Sequence, residues 1–122
     1  MTAYGLRKHL PPPAGLGFIN GTGLGAKYDG DLIVGSAVAR AANRGHLYRF
    51  RLNGGRNRFM FDDERLKDKV ADNLVLDDFT TEGEEILFGT NFGIVTHIET
   101  GPDGALYLVS PSAGSIRKIW KD

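Results

Sequence analysis

Apolar and polar residues alternate in short runs along this chain, and glycine-containing turns separate the runs. That pattern predicts strands. Ala14–Ile19 alternates small and large residues and reads as a buried strand, followed by a loop over 20–25. Leu32–Val38 is the next strand, and 39–45 is a loop carrying Arg40 and Arg44. In His46–Leu52, alternation sets Tyr48, Phe50 and Leu52 on one face and Leu47, Arg49 and Arg51 on the other. Asn53-Gly54-Gly55 turns the chain and Arg58–Phe61 returns it as a fourth strand. Ile94–Glu99, Leu106–Ser110 and Ser115–Trp120 predict three further strands.

The strands come in a pattern stated twice. Gly101-Pro102-Asp103-Gly104-Ala105-Leu106-Tyr107-Leu108-Val109-Ser110 is a tight turn feeding a strand. Pro102 pre-sets φ, Asp103 can bond its own backbone, and Gly104 tolerates positive φ. Asp29-Gly30-Asp31-Leu32-Ile33-Val34-Gly35-Ser36 has the same turn, strand and closing serine. Each copy then reaches a glycine, Gly45 or Gly114, and another strand. Repeated small antiparallel sheets predict an all-β chain built as four-stranded blades of a β-propeller. The expected organisation is an N-terminal extension over 1–13, a blade over 14–61, a charged connection over 62–93 and a second, incomplete blade over 94–122. Pro11-Pro12-Pro13 favours a stiff extended segment. A helical turn is expected over 64–70. The two turn glycines, Gly30 and Gly104, lie 74 positions apart. Blades repeat at ~40–50 residues, so an insertion separates the copies.

Composition narrows the function classes. At 122 residues the chain is one modest domain, with 41% apolar and 25% charged residues. Fifteen basic residues balance fifteen acidic ones, so no global field draws nucleic acid or anionic lipid. Absent cysteine excludes disulfides and thiolate chemistry and leaves the compartment open. No apolar run approaches the roughly 20 residues of a bilayer span. Residues 1–9 hold no signal-like apolar core.

Candidate chemistry is sparse. His9, His46 and His97 are scattered without metal-ligand spacing and read as surface or strand-face residues. Asp29, Asp31, Asp62 and Asp63 read as turn formers and solvated charges. Asp77, Asp78, Glu82, Glu84 and Glu85 carry calcium-type ligands without the spacing of a calcium loop. Gly21, Gly23 and Gly25 precede no helix able to hold a pyrophosphate. Arg49, Arg51, Arg56 and Arg58 read as solvated charges of one hairpin. No nucleophilic triad can be assembled, so neither a catalytic nor a metal-ligating residue is assigned.

The ordered set Pro13–Phe18, Tyr28–Ser36, Gly45–Leu52 and Gly101–Leu108 resembles the last two blades of the glucose/sorbosone dehydrogenase family, the soluble quinoprotein sugar dehydrogenases. The resemblance covers roughly residues 12–120. It implies part of a six-bladed propeller that binds pyrroloquinoline quinone (PQQ) and calcium and oxidises aldose sugars. It also implies a periplasmic or extracellular location for a longer parent. The family's histidine base lies in blades outside this chain. The family's basic residue after the Val-Gly-Ser strand corresponds to Val38, and its paired arginines correspond to Ile94 and Thr96. A trianionic quinone needs fixed cations, which leaves Arg40 and Arg44 as the candidate cofactor contacts. His97 shares the strand that passes the family's cofactor. The segment is therefore expected to be non-catalytic by itself, partnered by remaining blades. The alternative is a saccharide- or protein-binding propeller without catalysis, either one six-bladed chain or a trimer of two-blade protomers. Either way, open blade faces predict that the isolated chain does not persist as a monomer.

Overall fold

The structure, a computed structural model, describes residues 13–37, 45–62 and 86–122. Residues 1–12 of the expected extension over 1–13, Val38, Arg40 and Arg44, the helical turn at 64–70 and the acidic set at 77–85 lie outside the described residues, and Pro13 belongs to a strand. The described residues form eight strands: β1 (Pro13–Phe18), β2 (Leu32–Ser36), β3 (Leu47–Leu52), β4 (Phe59–Met60), β5 (Leu87–Gly89), β6 (His97–Thr100), β7 (Leu106–Ser110) and β8 (Ser115–Ile119). Ala26–Tyr28 and Pro111–Ala113 are single 3-10 turns, and no α-helix occurs among the described residues. None of their helices is long and apolar enough to cross a membrane.

The fold is all-β and antiparallel. β1-β2-β3-β4 is a four-stranded meander, and β6-β7-β8 is a three-stranded one. The turn glycines adopt the expected left-handed backbone, with φ of 85° at Gly30 and 81° at Gly104. The predicted strand at 94–99 is corrected to His97–Thr100. Ile94 to Thr96 approach it in irregular backbone that still bonds its neighbours: Val95 O accepts from Gly15 N–H at 2.8 Å, and Thr96 N–H donates to Val109 O at 2.9 Å.

Reading the stretch before Ile94 as connection misses β5. β4 pairs with Arg51 and Leu52 of β3, and β5 pairs with Leu47 and Tyr48 on the same strand. Both run antiparallel to β3, and Arg49 N–H donates to Ile86 O at 2.7 Å between them. β4 and β5 are thus two pieces of one outer strand, which the chain leaves after Met60 and rejoins at Leu87. Residues 62–85 are spliced into that strand. Without them the glycine-to-glycine offset falls to roughly 50 residues, an ordinary blade period.

Alternation along β2 and β3 divides the apolar residues between two cores. Ile33 and Leu47 face the second sheet and join Ile19, Leu24, Val95, Ile98, Leu106 and Leu108. Val34, Tyr48 and Phe50 face the other way and pack with Phe61 and Ile86, the residues at which the chain leaves and rejoins the outer strand. Phe50, Phe59 and Phe61 add ring contacts, with Phe50 and Phe59 stacked at 4.9 Å. Fully burying one such side chain stabilises by about 1.5–3 kcal/mol.

Close approach of β1 to β6 depends on glycine. A Cβ on Gly17 would lie 2.2 Å from Ile98 O, and one on Gly15 would lie 2.5 Å from Thr96 C. Gly23 meets Gly104 and Gly35 meets Val95 in the same manner. The second sheet does not offer this surface on its far side. Gly17 stands opposite Ile33 in β2, and Glu99 stands opposite Tyr107 in β7. Glu99 and His97 therefore occupy in β6 the places that Gly17 and Gly15 hold in β1, and both point to solvent.

Candidate functional site

The positions that sequence singled out converge at one end of the two sheets. β2 and β7 end there in the buried Ser36 and Ser110. Gly45 and Gly93 pack backbone to backbone: a Cβ on Gly45 would lie 2.0 Å from Gly93 O. Ile94 is half-buried, and its N–H donates to Ser112 Oγ at 2.7 Å. Thr96 is exposed. His97 lies on the solvent face, with Nε2 3.3 Å from Glu99 Oε2. Ile94 and Thr96 are neutral, so these two described positions do not supply the charge a trianionic quinone needs. No group of three or more His, Asp or Glu residues with metal-binding placement occurs among the described residues.

Two charges read as solvated are structural. Asp31 is 5% exposed. Its carboxylate accepts from Arg49 Nε at 2.5 Å, and the Arg49 guanidinium also lies 4.6 Å over the Tyr28 ring. Partial burial strengthens such a pair and makes its disruption costly. Arg51 pairs with Asp62 at 2.8 Å. Arg49, Arg51 and Asp62, with Lys27, Met60, Phe61 and Ile86, line a cleft of about 260 Å³. Three cations and Asp62 line it, but Arg49 and Arg51 are engaged by carboxylates, so it is a weak anion trap. His46 is also corrected: it is buried, its ring edge-on to Tyr48 at 6.0 Å.

A second cleft, of about 420 Å³, opens between the sheets at their outer side. Leu24, Tyr28, Phe88, Phe92, Ile119, Trp120 and Lys121 line it. Tyr28 and Phe88 meet edge-to-face at 5.9 Å. The Arg117 guanidinium lies 5.7 Å over Phe92 and donates to Asn91 O at 3.0 Å. Trp120 is 60% exposed. Sequence gave no route to this cleft. Its aromatic residues come from a loop, a missed strand and the chain's far end, with no shared spacing.

On the solvent face of the second sheet, Asp103 gathers three donors. Its carboxylate accepts from Lys118 Nζ at 2.9 Å, Tyr107 OH at 2.9 Å and Ala105 N–H at 3.1 Å. The bond from Lys118, then those from Tyr107 and Ala105, hold its pKa down at about 2, and the same contact raises that of Lys118.

No family model matches the chain, and no curated protein matches it. Among solved structures, it is similar to a crystal structure of glucose dehydrogenase, with a TM-score of 0.54 and 23% identity. The match covers 92% of this chain and 24% of that one. The chain therefore spans about a quarter of that protein's length, and over that span the two are alike in fold.

Proposed function

We propose that the chain is a two-blade segment of a sugar dehydrogenase-like propeller, and that the protein carrying it oxidises aldose sugars. The observation that carries this reading is the likeness to glucose dehydrogenase over nearly the whole chain. In the parent, PQQ and calcium would supply the redox chemistry, held mainly by other blades. This segment supplies wall and packing rather than the catalytic centre, because Ile94 and Thr96 are neutral where cofactor cations are needed. Arg40 and Arg44 remain its candidate cofactor contacts. The test is to add PQQ and calcium to the full-length parent and follow aldose-dependent reduction of a dye. A well-folded parent that takes up no cofactor defeats the reading.

A second reading is a non-catalytic binding propeller. The aromatic cleft between the sheets favours it, since exposed aromatic walls with a few polar groups suit saccharides. A glycan screen separates the two. Saccharide binding without cofactor uptake supports the binding module, and no binder at any concentration counts against it.

A further inference from the structure

We propose that the aromatic cleft between the sheets takes an acidic saccharide, a pyranose ring carrying a carboxylate, as in a uronic acid. The proposal rests on the reading of the chain as a binding module and narrows it to one ligand class. Three features of the cleft carry it: its walls, the sign of the charge around it, and the hydrogen-bonding groups its lining lacks.

The volume of about 420 Å³ lies within the range of small-molecule sites. The walls are rings held by separate elements. Tyr28 belongs to a 3-10 turn, Phe88 to β5, and Trp120 follows the end of β8. Each ring is braced. Tyr28 and Phe88 meet edge-to-face, and Trp120 Nε1 donates to Asp122 Oδ1 at 3.1 Å. The indole nevertheless keeps most of its surface open. An open ring face offers apolar contact to the C–H face of a pyranose while the hydroxyls stay in water.

Charge selects among saccharides. Lys121 lines the cleft, Arg117 lies over Phe92 on the face of β8 that Ile119 turns to the cleft, and Lys27 lies 4.8 Å over the Tyr28 ring. Among the described residues no carboxylate pairs with any of these three cations. Arg117 bonds to neutral oxygens, Ser115 Oγ and Asn91 O. Asp122, beside Trp120, offsets one of the three charges and leaves the rim positive. Apolar walls with a rim of one sign focus the field on an anion.

The lining also lacks what a neutral sugar needs. Sugar hydroxyls require acceptors as well as donors. The side chains that line the cleft include no Asp, Glu, Asn or Gln, and the Tyr28 hydroxyl is their one acceptor. Lys121 and Arg117 only donate. A carboxylate on the sugar only accepts, and its bonds to an ammonium or guanidinium are roughly twice as strong as neutral ones.

The experiment titrates the purified chain with digalacturonic acid and, in parallel, with its dimethyl ester, which keeps the rings and loses the charge. Trp120 is the single tryptophan, so its emission reports the cleft directly. The expected result is a saturable emission change with the acid, and binding about tenfold or more weaker for the ester. Added salt should weaken binding of the acid and leave that of the ester unchanged. Lys121→Ala should lose about tenfold toward the acid alone, and Lys121→Arg should restore it. Lys121 is exposed, so neither substitution disturbs the core. Equal affinity for acid and ester would overturn the proposal and leave the binding-module reading standing as a neutral-sugar site. A preference for the acid undiminished in Lys121→Ala would overturn it too. No response to either compound would overturn the proposal and the saccharide reading of the cleft together. So would a response to phenylacetate but to neither saccharide, since that means a site for apolar anions.

Discussion

Replacing Gly17 by alanine tests the packing of the two sheets most directly. Gly17 has no positive φ, so alanine fits its backbone and only space opposes it. The new Cβ would lie 2.2 Å from Ile98 O, 2.8 Å from Ile98 C and 3.0 Å from Ile98 Cβ. Ordinary carbon contacts begin near ~3.4 Å, so β1 must withdraw from β6 by about 1 Å. Backbone atoms cannot rotate aside as a long side chain can. Overpacking of this kind costs about 1–3 kcal/mol. Withdrawal also strains the bonds that stitch the strands: Gly15 N–H to Val95 O at 2.8 Å, and Thr100 Oγ1 to Phe18 O at 2.9 Å. Each is worth roughly 0.5–1.5 kcal/mol. The lost flexibility of the unfolded chain returns about 0.4–1 kcal/mol. The net is a destabilisation of about 3 kcal/mol, which at ~2.1 cal/mol/K per residue lowers Tm by roughly 12 °C.

Gly54→Ala is the matched control. Its Cβ would meet nothing within 4 Å, and its φ is not positive. It should be neutral or stabilising by up to ~1 kcal/mol. Urea unfolding, followed by circular dichroism and Trp120 emission, measures both variants against the parent. If Gly17→Ala and Gly54→Ala differ by less than about 0.5 kcal/mol, the argument that glycine permits this approach is refuted.

Asp31→Ala leaves Arg49 partly buried without its carboxylate, and unfolding should show a loss of about 3 kcal/mol. The lowered pKa of Asp103 means that its stabilisation is complete above the ordinary value of 3.8 and is lost as pH falls through about 2. Asp103→Asn should remove that part of the acid dependence in a stability titration over the same range; an unchanged profile contradicts the three-donor assignment. Three copies closing a ring by repeating the β1–β6 contact would need His97 and Glu99 to fit where Gly15 and Gly17 fit, so light scattering should show no discrete trimer, and a sharp trimer would refute the counterpart assignment.

Strands were legible because alternation is a local property. Leu47, Tyr48, Arg49 and Phe50 sort onto two faces whatever packs against them, and the tertiary fold then uses that sorting. The turns at Gly30 and Gly104 were legible for the same reason, since positive φ is demanded within four residues. The split outer strand was not legible. Leu87 and Phe88 lie far along the chain from Met60, and only the open edge of β3 makes Leu87–Gly89 a strand. Asp31 looked like a turn acid because its partner, Arg49, is supplied by β3. The candidate cofactor contacts rested on family position, and for Ile94 and Thr96 the local chemistry is visible in the residue types themselves.

The glycines show where local reading ends. Gly15 and Gly17 sit in an extended strand, where glycine costs stability through lost packing and excess unfolded entropy. Nothing in Pro13–Phe18 explains that expense. It is explained by the Thr96–Ile98 backbone, roughly 80 residues onward, which must come within reach for Ile33 and Leu47 to meet Leu106 and Leu108. His97 and Glu99 then carry the complementary message. They fill the same register positions in β6 with charge and bulk, so the second sheet cannot accept a neighbour by the relation through which it was itself accepted. Two sheets of similar pattern are therefore not interchangeable units: one presents a glycine surface made for close contact, the other a charged face and an open edge. Whatever completes this assembly must meet the second sheet on those terms, by side-chain contact across His97, Glu99 and Lys118 or by backbone pairing along β8.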